Sequence, residues 1–538
     1  MSSFQRFGRA VATAGFSALL LCANLPAQVG ITTSHMDNHR TGWNSNETIL
    51  TPANVNATHF GLLTTVSVDD QIDAQPLFVA GVNITAGNFR GKHNVVYAVT
   101  ANNTVYAIDG NTGTVLLSNH LGAPVPLPLG CNNNGPNVGI SSTPVIDISR
   151  NNIYLIAYLQ GTNGPSYQVH ALDLGNLTDK LTPATVTASH TLTNGTSFVF
   201  NAAVQRQRPA LLEANGNIYA GFGSFCDEAP SESRGWLLGW DVRTLTPLAA
   251  NQLFDTQDSD VDSFYLSSIW MSGVGLAADD SGNILFATGN SDPSGTTYDG
   301  ITNIQESVVK VSSDLTTVMD LFTPSNWSNL DQHDQDLGAG GVMVLPDQPG
   351  SIPHLAVAAG KEGNIFLMNA DNLGGYSSTG NNVLDEKFIG GACLCAETYL
   401  SYKGIGFVLT SAANSLKLFE VVTKPSPKLN LISSATITTG PYGGFFTAVT
   451  SNKGANYIIW ALSRPVSKTA PAMTLYAFAP NPQGALNLIF SGVAGQWPNY
   501  TGKPNQAPLI VGGKVYVGSY QQLQIFGLLP KNAAAKKK

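Results

Sequence analysis

HNVVYAVTANNTVYAIDGNTGTVLL, residues 93–117, decides how this chain folds. The pattern predicts apolar strands over 95–100 and 104–108, joined by a tight turn at Asn102-Asn103. Asp109-Gly110-Asn111-Thr112-Gly113 then forms a corner leading into a third strand. A meander this short cannot bury its own faces, so it needs similar units packed beside it.

Those units recur along the chain. Opening strands carry a proline near their start, in Ser142-Thr143-Pro144-Val145-Ile146 and Arg208-Pro209-Ala210-Leu211. An aromatic strand follows a polar turn, in Asn152-Ile153-Tyr154 and Asn217-Ile218-Tyr219, and a third strand ends at Asp173 or Asp241. Looser copies begin near Gly273 and Gly341, two degenerate ones near Tyr399 and Thr447, and a clean one spans 507–526. From Pro76 to Pro508 the seven intervals average about 62 residues. Period-2 patterning excludes a helical solenoid, and radial packing suits the repeat length. The expected fold is all-β: an eight-bladed β-propeller of four-stranded antiparallel blades. A spare strand at 62–68 is expected to join the last blade and close the ring.

The chain divides accordingly. Residues 1–27 have the layout of a secretory signal, with Arg6 and Arg9 before an apolar run from Ala10 to Cys22. Residues 28–59 read as an extended lead-in, 60–530 as the propeller and 531–538 as a solvated tail. The protein is therefore expected to be exported, to the periplasm or beyond the cell. Charged residues make up only 12 % of the 538, which disfavours long solvent-facing helices. A net charge of −8 offers no basic face for nucleic acid, and no run is long enough to span a membrane.

Without Cys22, four cysteines remain. Cys131 and Cys226 lie in comparable loops of adjacent units and are expected to pair. Cys393 and Cys395 are too close in sequence for an easy bridge, so buried free thiols are an alternative. Neither pair has His or Cys partners at ligand spacing, so zinc is not expected.

Ala107-Ile108-Asp109-Gly110-Asn111-Thr112-Gly113 resembles the core of the tryptophan-docking repeat of quinoprotein alcohol dehydrogenases. With the eight units, this is similar to the pyrroloquinoline quinone (PQQ)-like β-propeller superfamily, in particular its exported bacterial repeat proteins. Gln75-Pro76-Leu77, Gly139-Ile140-Ser141-Ser142-Thr143-Pro144, Ile269-Trp270-Met271-Ser272-Gly273 and Gly360-Lys361-Glu362-Gly363 add to the resemblance. It implies PQQ with calcium as a cofactor pair. The chain departs from the family at Leu117, where the repeat wants Trp, and it has no Cys-Cys dipeptide for the disulfide that the family places over its quinone.

In a propeller, loops entering the innermost strands converge at one mouth of the channel. Gln75, Thr143, Arg208, Trp270, Asp336, Lys361 and Gln506 are the resulting ligand-binding candidates, flanked by Asp73, Ser142, Arg206, Ser272, Asp334 and Asn505. Arg208 and Lys361 could bind the carboxylates of PQQ, and Trp270 could stack on a planar ring. The alternative is that these side chains plug the channel. Asp258-Ser259-Asp260-Val261-Asp262 mimics the start of a calcium loop but lacks the later Gly and Glu. His333-Asp334-Gln335-Asp336 could hold a metal or merely cap a turn. The residues alone display no catalytic set. The leading expectation is therefore a scaffold that binds a protein or carbohydrate at its face. The alternatives are a PQQ- and metal-dependent dehydrogenase of an alcohol or sugar, and a polysaccharide-binding propeller.

Overall fold

The computed structural model describes residues 30–530, except 133–134, 230–231, 258–265, 292–297, 441–442, 482–483 and 503. The expected signal segment 1–27, the expected tail 531–538 and the acidic stretch 258–262 lie outside the described residues.

Among the described residues, eight antiparallel sheets follow one another in sequence. Their inner strands are Leu77–Ile84, Val145–Asp147, Gln205–Gln207 with Leu212–Ala214, Ala277–Ala278, Val342–Val344, Thr398–Tyr402, Phe446–Asn452 and Leu509–Val511. The result is an all-β, eight-bladed propeller. The blades are numbered one to eight in that order.

Period-2 alternation explains why the blades need each other. In Gly91–Val99, Val95, Tyr97 and Val99 pack into one core with Ile153 and Leu155 of blade two. Val96 and Ala98 face the other way, into a core with Leu509, Tyr516 and Ile525 of blade eight. Each middle strand is therefore apolar on both faces, which is why it reads as a continuous hydrophobic run. The aspartate corners repeat with the same bonds. Asp109 Oδ1 accepts from the amides of Asn111 and Thr112, and Asp241 Oδ1 from those of Arg243 and Thr244. The amides of Gly113, Leu177 and Leu245 return to the carbonyls of Asp109, Asp173 and Asp241. That return needs a left-handed residue, supplied by Gly113 (φ 77°) in one corner and by Leu177 (φ 59°) and Leu245 (φ 57°) in the others.

The expected uniform four strands per blade are corrected. Blades one, four and seven carry a fifth strand, Gly30–Ile31, Gly375–Tyr376 and Trp43–Asn44 respectively. The eighth sheet combines Leu509–Val511, Lys514–Leu528 and Phe60–Gln71, with Leu62 opposite Phe526 and Val66 opposite Leu523.

Two of the additions come from one source: residues 30–47 wind once around the inner strands as a belt. Gly30 and Ile31 pair with Val79 and Phe78 of blade one, and Thr32 O accepts from the Ile146 amide of blade two. Asn38 Nδ2 donates to Glu213 O of blade three, while the carbonyls of Asn38, His39, Thr41 and Gly42 accept from Ala278, Val344, Tyr399 and Val449 of blades four to seven. Asn44 Nδ2 then reaches Ile510 O of blade eight. Arg40 anchors the belt. Its guanidinium is buried and donates to Leu276 O (2.8 Å), Thr33 Oγ1 (2.7 Å), Ser34 O (2.8 Å) and Leu211 O (3.1 Å). A Cβ on Gly275 would lie 2.5 Å from Arg40 Cζ, so glycine is what allows this approach.

Candidate functional site

The turns that lead into the inner strands of blades three, four and five meet around a cleft of about 300 Å³. Arg206, Arg208, Ser224, Cys226, Asp227, Trp270, Ser272, Asp334, Asp336, Ala339, Lys361 and Leu394 line it.

Trp270 is held by its surroundings. Two residues in the left-handed region follow it, Met271 (φ 47°) and Ser272 (φ 46°), and Ser272 Oγ donates to Ala339 O at 2.5 Å. Such conformations persist where the surrounding structure over-determines them. A Cβ on Gly223 would come within 2.7 Å of the indole, and one on Gly289 within 2.6 Å, so bare backbone packs against both ends of the ring.

Lys361 Nζ is 2.7 Å from both Asp336 Oδ2 and Asp334 Oδ1, and the Lys361 amide donates to Asp336 O at 3.0 Å. Asp336 is 1 % exposed, and burial raises its pKa despite the opposing ammonium of Lys361. Although burial works against it, the charge of Asp336 and Asp334 pushes the Lys361 pKa up. Beneath them Glu306 accepts from the Leu337 amide at 2.6 Å; burial, then repulsion from Asp336 and Asp331, drives its pKa well above the carboxylate range. Burial and Asp336 together push Asp227 up to about 6. Burial pulls Arg208 down to about 10 and, with repulsion from Arg208, Arg206 to about 9, so both remain cationic at neutral pH.

Four expected site residues, Arg208, Trp270, Asp336 and Lys361, thus share one cleft. Gln75, Thr143 and Gln506 do not join them. They border a separate void of about 10 Å³ against the belt residues Ser34 and His35. There Gln75 Oε1 accepts from the His35 amide, the Gln75 amide donates to Thr143 Oγ1, and Gln506 Nε2 donates to the carbonyls of Ile72 and Gly518. His333 is not part of the cleft lining; its Nδ1 lies 2.9 Å from Asn329 O.

Two oxygen donors missed in the sequence, on Glu306 and Asn290, accompany Asp336 at the cleft. Asp336 Oδ1, Glu306 Oε1 and Asn290 Oδ1 are buried with no hydrogen-bond partner among the described residues. Asn290 follows Gly289, whose carbonyl accepts from the Glu306 amide. Nothing in local spacing marks Glu306, which sits just before an ordinary apolar strand, Val308–Val311.

The cysteines form two bridges, Cys131–Cys226 and Cys393–Cys395. Cys226 lines the cleft together with Trp270. Cys393, Cys395 and Glu397 are all buried, with potential ligand atoms within 4.8 Å of one another. The partner that joins this pair is a carboxylate two residues beyond it, a ligand type outside the His and Cys spacing considered in the sequence.

The described residues thus form an eight-bladed propeller, a shape shared by the solved structures of the quinoprotein alcohol dehydrogenase-like class. Solved structures of that class resemble it closely in shape. The quinohemoprotein alcohol dehydrogenase of Comamonas testosteroni superposes with a TM-score of 0.61 at 13 % identity, over 94 % of this chain and 81 % of that one. The quinohemoprotein alcohol dehydrogenase ADHIIG of Pseudomonas putida HK5 gives 0.58 at 13 %, over 93 % and 80 %. A europium-containing methanol dehydrogenase gives 0.58 at 12 %, over 93 % and 98 %. No family model matches the chain, and no curated protein matches it by sequence. Among the described residues, no helix is long and apolar enough to cross a membrane.

These findings overturn the expectation of a scaffold without a catalytic set. Groups more than a hundred residues apart, from Arg208 to Lys361, converge on one cleft. A buried cysteine and glutamate cluster lies nearby, and the matching folds are those of dehydrogenases. The cleft grouping was invisible as a motif because its members meet only after folding.

Proposed function

We propose that this chain is an exported, quinone-dependent dehydrogenase that oxidises an alcohol or a sugar. The observation that carries the reading is the meeting of Arg208, Trp270, Asp336 and Lys361 in one cleft. The residues fit an anionic planar cofactor such as PQQ. Trp270 presents a flat apolar ring, Arg206 and Arg208 offer charge to carboxylates, and Cys226 of the 131–226 bridge faces the same space. The orphaned oxygens of Asp336, Glu306 and Asn290 offer hard ligands to a cation such as calcium. When bound, the quinone supplies the two-electron acceptor.

The chain's own residues handle the proton. Asp336 is the buried carboxylate of the cleft and would accept the hydroxyl proton of the substrate. Lys361 favours the ionised form of Asp336 against its burial through the 2.7 Å contact and, shared with Asp334, keeps the carboxylate fixed in position. Two bridges suit an oxidising compartment, in keeping with export. We also read the pairing of Phe60–Gln71 with Lys514–Leu528 as the latch that closes the ring.

The test is reconstitution of the purified protein with PQQ and calcium. The expected result is one bound quinone per chain by absorbance, with dye reduction for some members of an alcohol and sugar panel. Trp270→Ala should reduce quinone retention while leaving the fold intact by circular dichroism. Failure of wild-type protein to retain quinone would remove the dehydrogenase reading.

A further inference from the structure

Cys393, Cys395 and Glu397 lie at alternate positions in the segment just before the strand Thr398–Tyr402. All three are essentially out of solvent, at 0 %, 0 % and 1 % exposure. Glu397 Oε1 lies 3.7 Å from Cys393 Sγ and 3.4 Å from Thr410 Oγ1. Glu397 Oε2 is buried with no partner among the described residues, and no lysine or arginine pairs with the group. Burying a carboxyl oxygen this way costs stability unless something occupies its lone pairs in some state of the protein. On the far side, Cys395 Sγ is 3.4 Å from Ser411 O and 3.8 Å from Thr410 Oγ1.

We propose that Cys393, Cys395 and Glu397 form a redox-gated binding site for a zinc-class divalent cation. The site is closed while the two sulfurs are bonded and opens when they are reduced. It is separate from the cleft and does not rest on the dehydrogenase reading. Two sulfurs and one carboxylate oxygen within 4.8 Å of one another suit the tetrahedral thiolate and carboxylate coordination of zinc, with Thr410 Oγ1 or Ser411 O nearest the remaining position. The chemistry balances. A thiol or phosphine reductant delivers two electrons to the S–S bond, which breaks to two thiols as the reductant is oxidised. The cation then displaces both thiol protons and forms two metal–sulfur bonds. Glu397 supplies the third bond as a carboxylate.

The local backbone can carry this exchange without dismantling the propeller. The Cys393 amide donates to Gly360 O, the Cys395 carbonyl accepts from the Gly341 amide, and Arg464 Nη2 donates to Leu394 O at 2.6 Å. These bonds hold the main chain on both sides of the sulfurs whatever the sulfurs bind.

The experiment uses the folded full-length chain. It is reduced anaerobically with a phosphine, freed of reductant and titrated with Co²⁺ as a spectroscopic stand-in for zinc. Differential alkylation with mass spectrometry reports whether Cys393 and Cys395 are thiols. The expected result is one Co²⁺ per chain, with a near-ultraviolet thiolate-to-cobalt band in reduced protein and none in oxidised protein. Cys393→Ser should abolish the band. Glu397→Gln should keep both thiols but weaken binding roughly tenfold or more, since a neutral amide replaces an anionic ligand. The comparison of oxidised with reduced wild type needs no variant to fold. The proposal is overturned if reduced Cys393 and Cys395 bind no Co²⁺, if Glu397→Gln binds as tightly as wild type, or if the bridge resists reduction in the folded chain.

Discussion

The phenolic hydroxyl of Tyr516, in blade eight, donates to the carbonyl of Gly110, in blade one, over 2.8 Å and 406 residues of sequence. The same bond repeats at the next three junctions: Tyr97 to Leu174 O, Tyr154 to Val242 O and Tyr219 to Ser313 O. Gly110, Leu174 and Val242 directly follow the aspartate that ends a third strand, and Ser313 lies two residues beyond the strand Val308–Val311. A tyrosine from one blade thus docks on the corner of the next. Leu285 of blade four follows the same Asn-Ile pair that precedes Tyr219 and has no hydroxyl to offer.

Removing one of these hydroxyls strands a buried carbonyl. Tyr516→Phe and Tyr154→Phe should each lower stability by about 1–2 kcal/mol. Because the two junctions are far apart, the double variant should lose close to the sum. Urea unfolding followed by tryptophan fluorescence reads both, and a marked departure from additivity would mean that the junctions are coupled.

The belt makes a sharper prediction. Arg40→Met removes the donor shared by Ser34, Leu211 and Leu276 carbonyls inside the ring. A loss of roughly 3–5 kcal/mol is expected, within the range for breaking buried charged networks. Arg40→Lys should recover only part of it, because one ammonium cannot reach carbonyls placed for a planar fork. Thermal denaturation measures both.

Stability should also depend on pH through Asp255. Burial raises its pKa to about 7; the nearby Arg234 guanidinium opposes this and Asp299 adds to it. The ordinary unfolded value is about 3.9, so between those limits the folded state binds the extra proton. Stability from this group is full below about pH 4 and falls as pH rises towards about 7. Asp255→Asn removes that loss. Urea midpoints at pH 4 and pH 8 should show the variant gaining on the parent as pH rises.

The Cys131–Cys226 bridge spans 95 residues. By loop-closure entropy, converting both to serine should cost about 4.7 kcal/mol. Before reduction, neither cysteine should be alkylated in denatured protein.

Lys361→Met tests the proton-handling role. Loss of the ammonium removes the influence that opposes burial at Asp336, so its pKa rises further. The acidic limb of a kcat–pH profile in reconstituted enzyme should move to higher pH. An unmoved limb with lowered activity would assign Lys361 to cofactor binding instead.

How much of this was legible in sequence varied with the kind of signal. The aspartate corners were readable because each consists of local side-chain and backbone bonds. Blades six and seven looked degenerate, yet their hairpins are tight and long. Lys403-Gly404 and Lys453-Gly454 take positive φ at both central positions, as two-residue hairpin loops require, and lysine in the first place disguises the turn. Arg208, Trp270, Asp336 and Lys361 were found because turns before inner strands converge in any propeller. Glu306 and Asn290 were missed because only tertiary packing brings them near Asp336. The belt was read as a loose lead-in, since it lacks strand periodicity and bonds largely through carbonyls and single side chains.

The belt bears on the order in which this molecule can be made. Residues 30–47 are synthesised before any of the eight blades, yet their partners extend to Ile510 and Gly513 in the last one. A nascent chain cannot complete its axis early, because the belt's contacts with the later blades await residues not yet synthesised. The belt can close only once blade eight has been made.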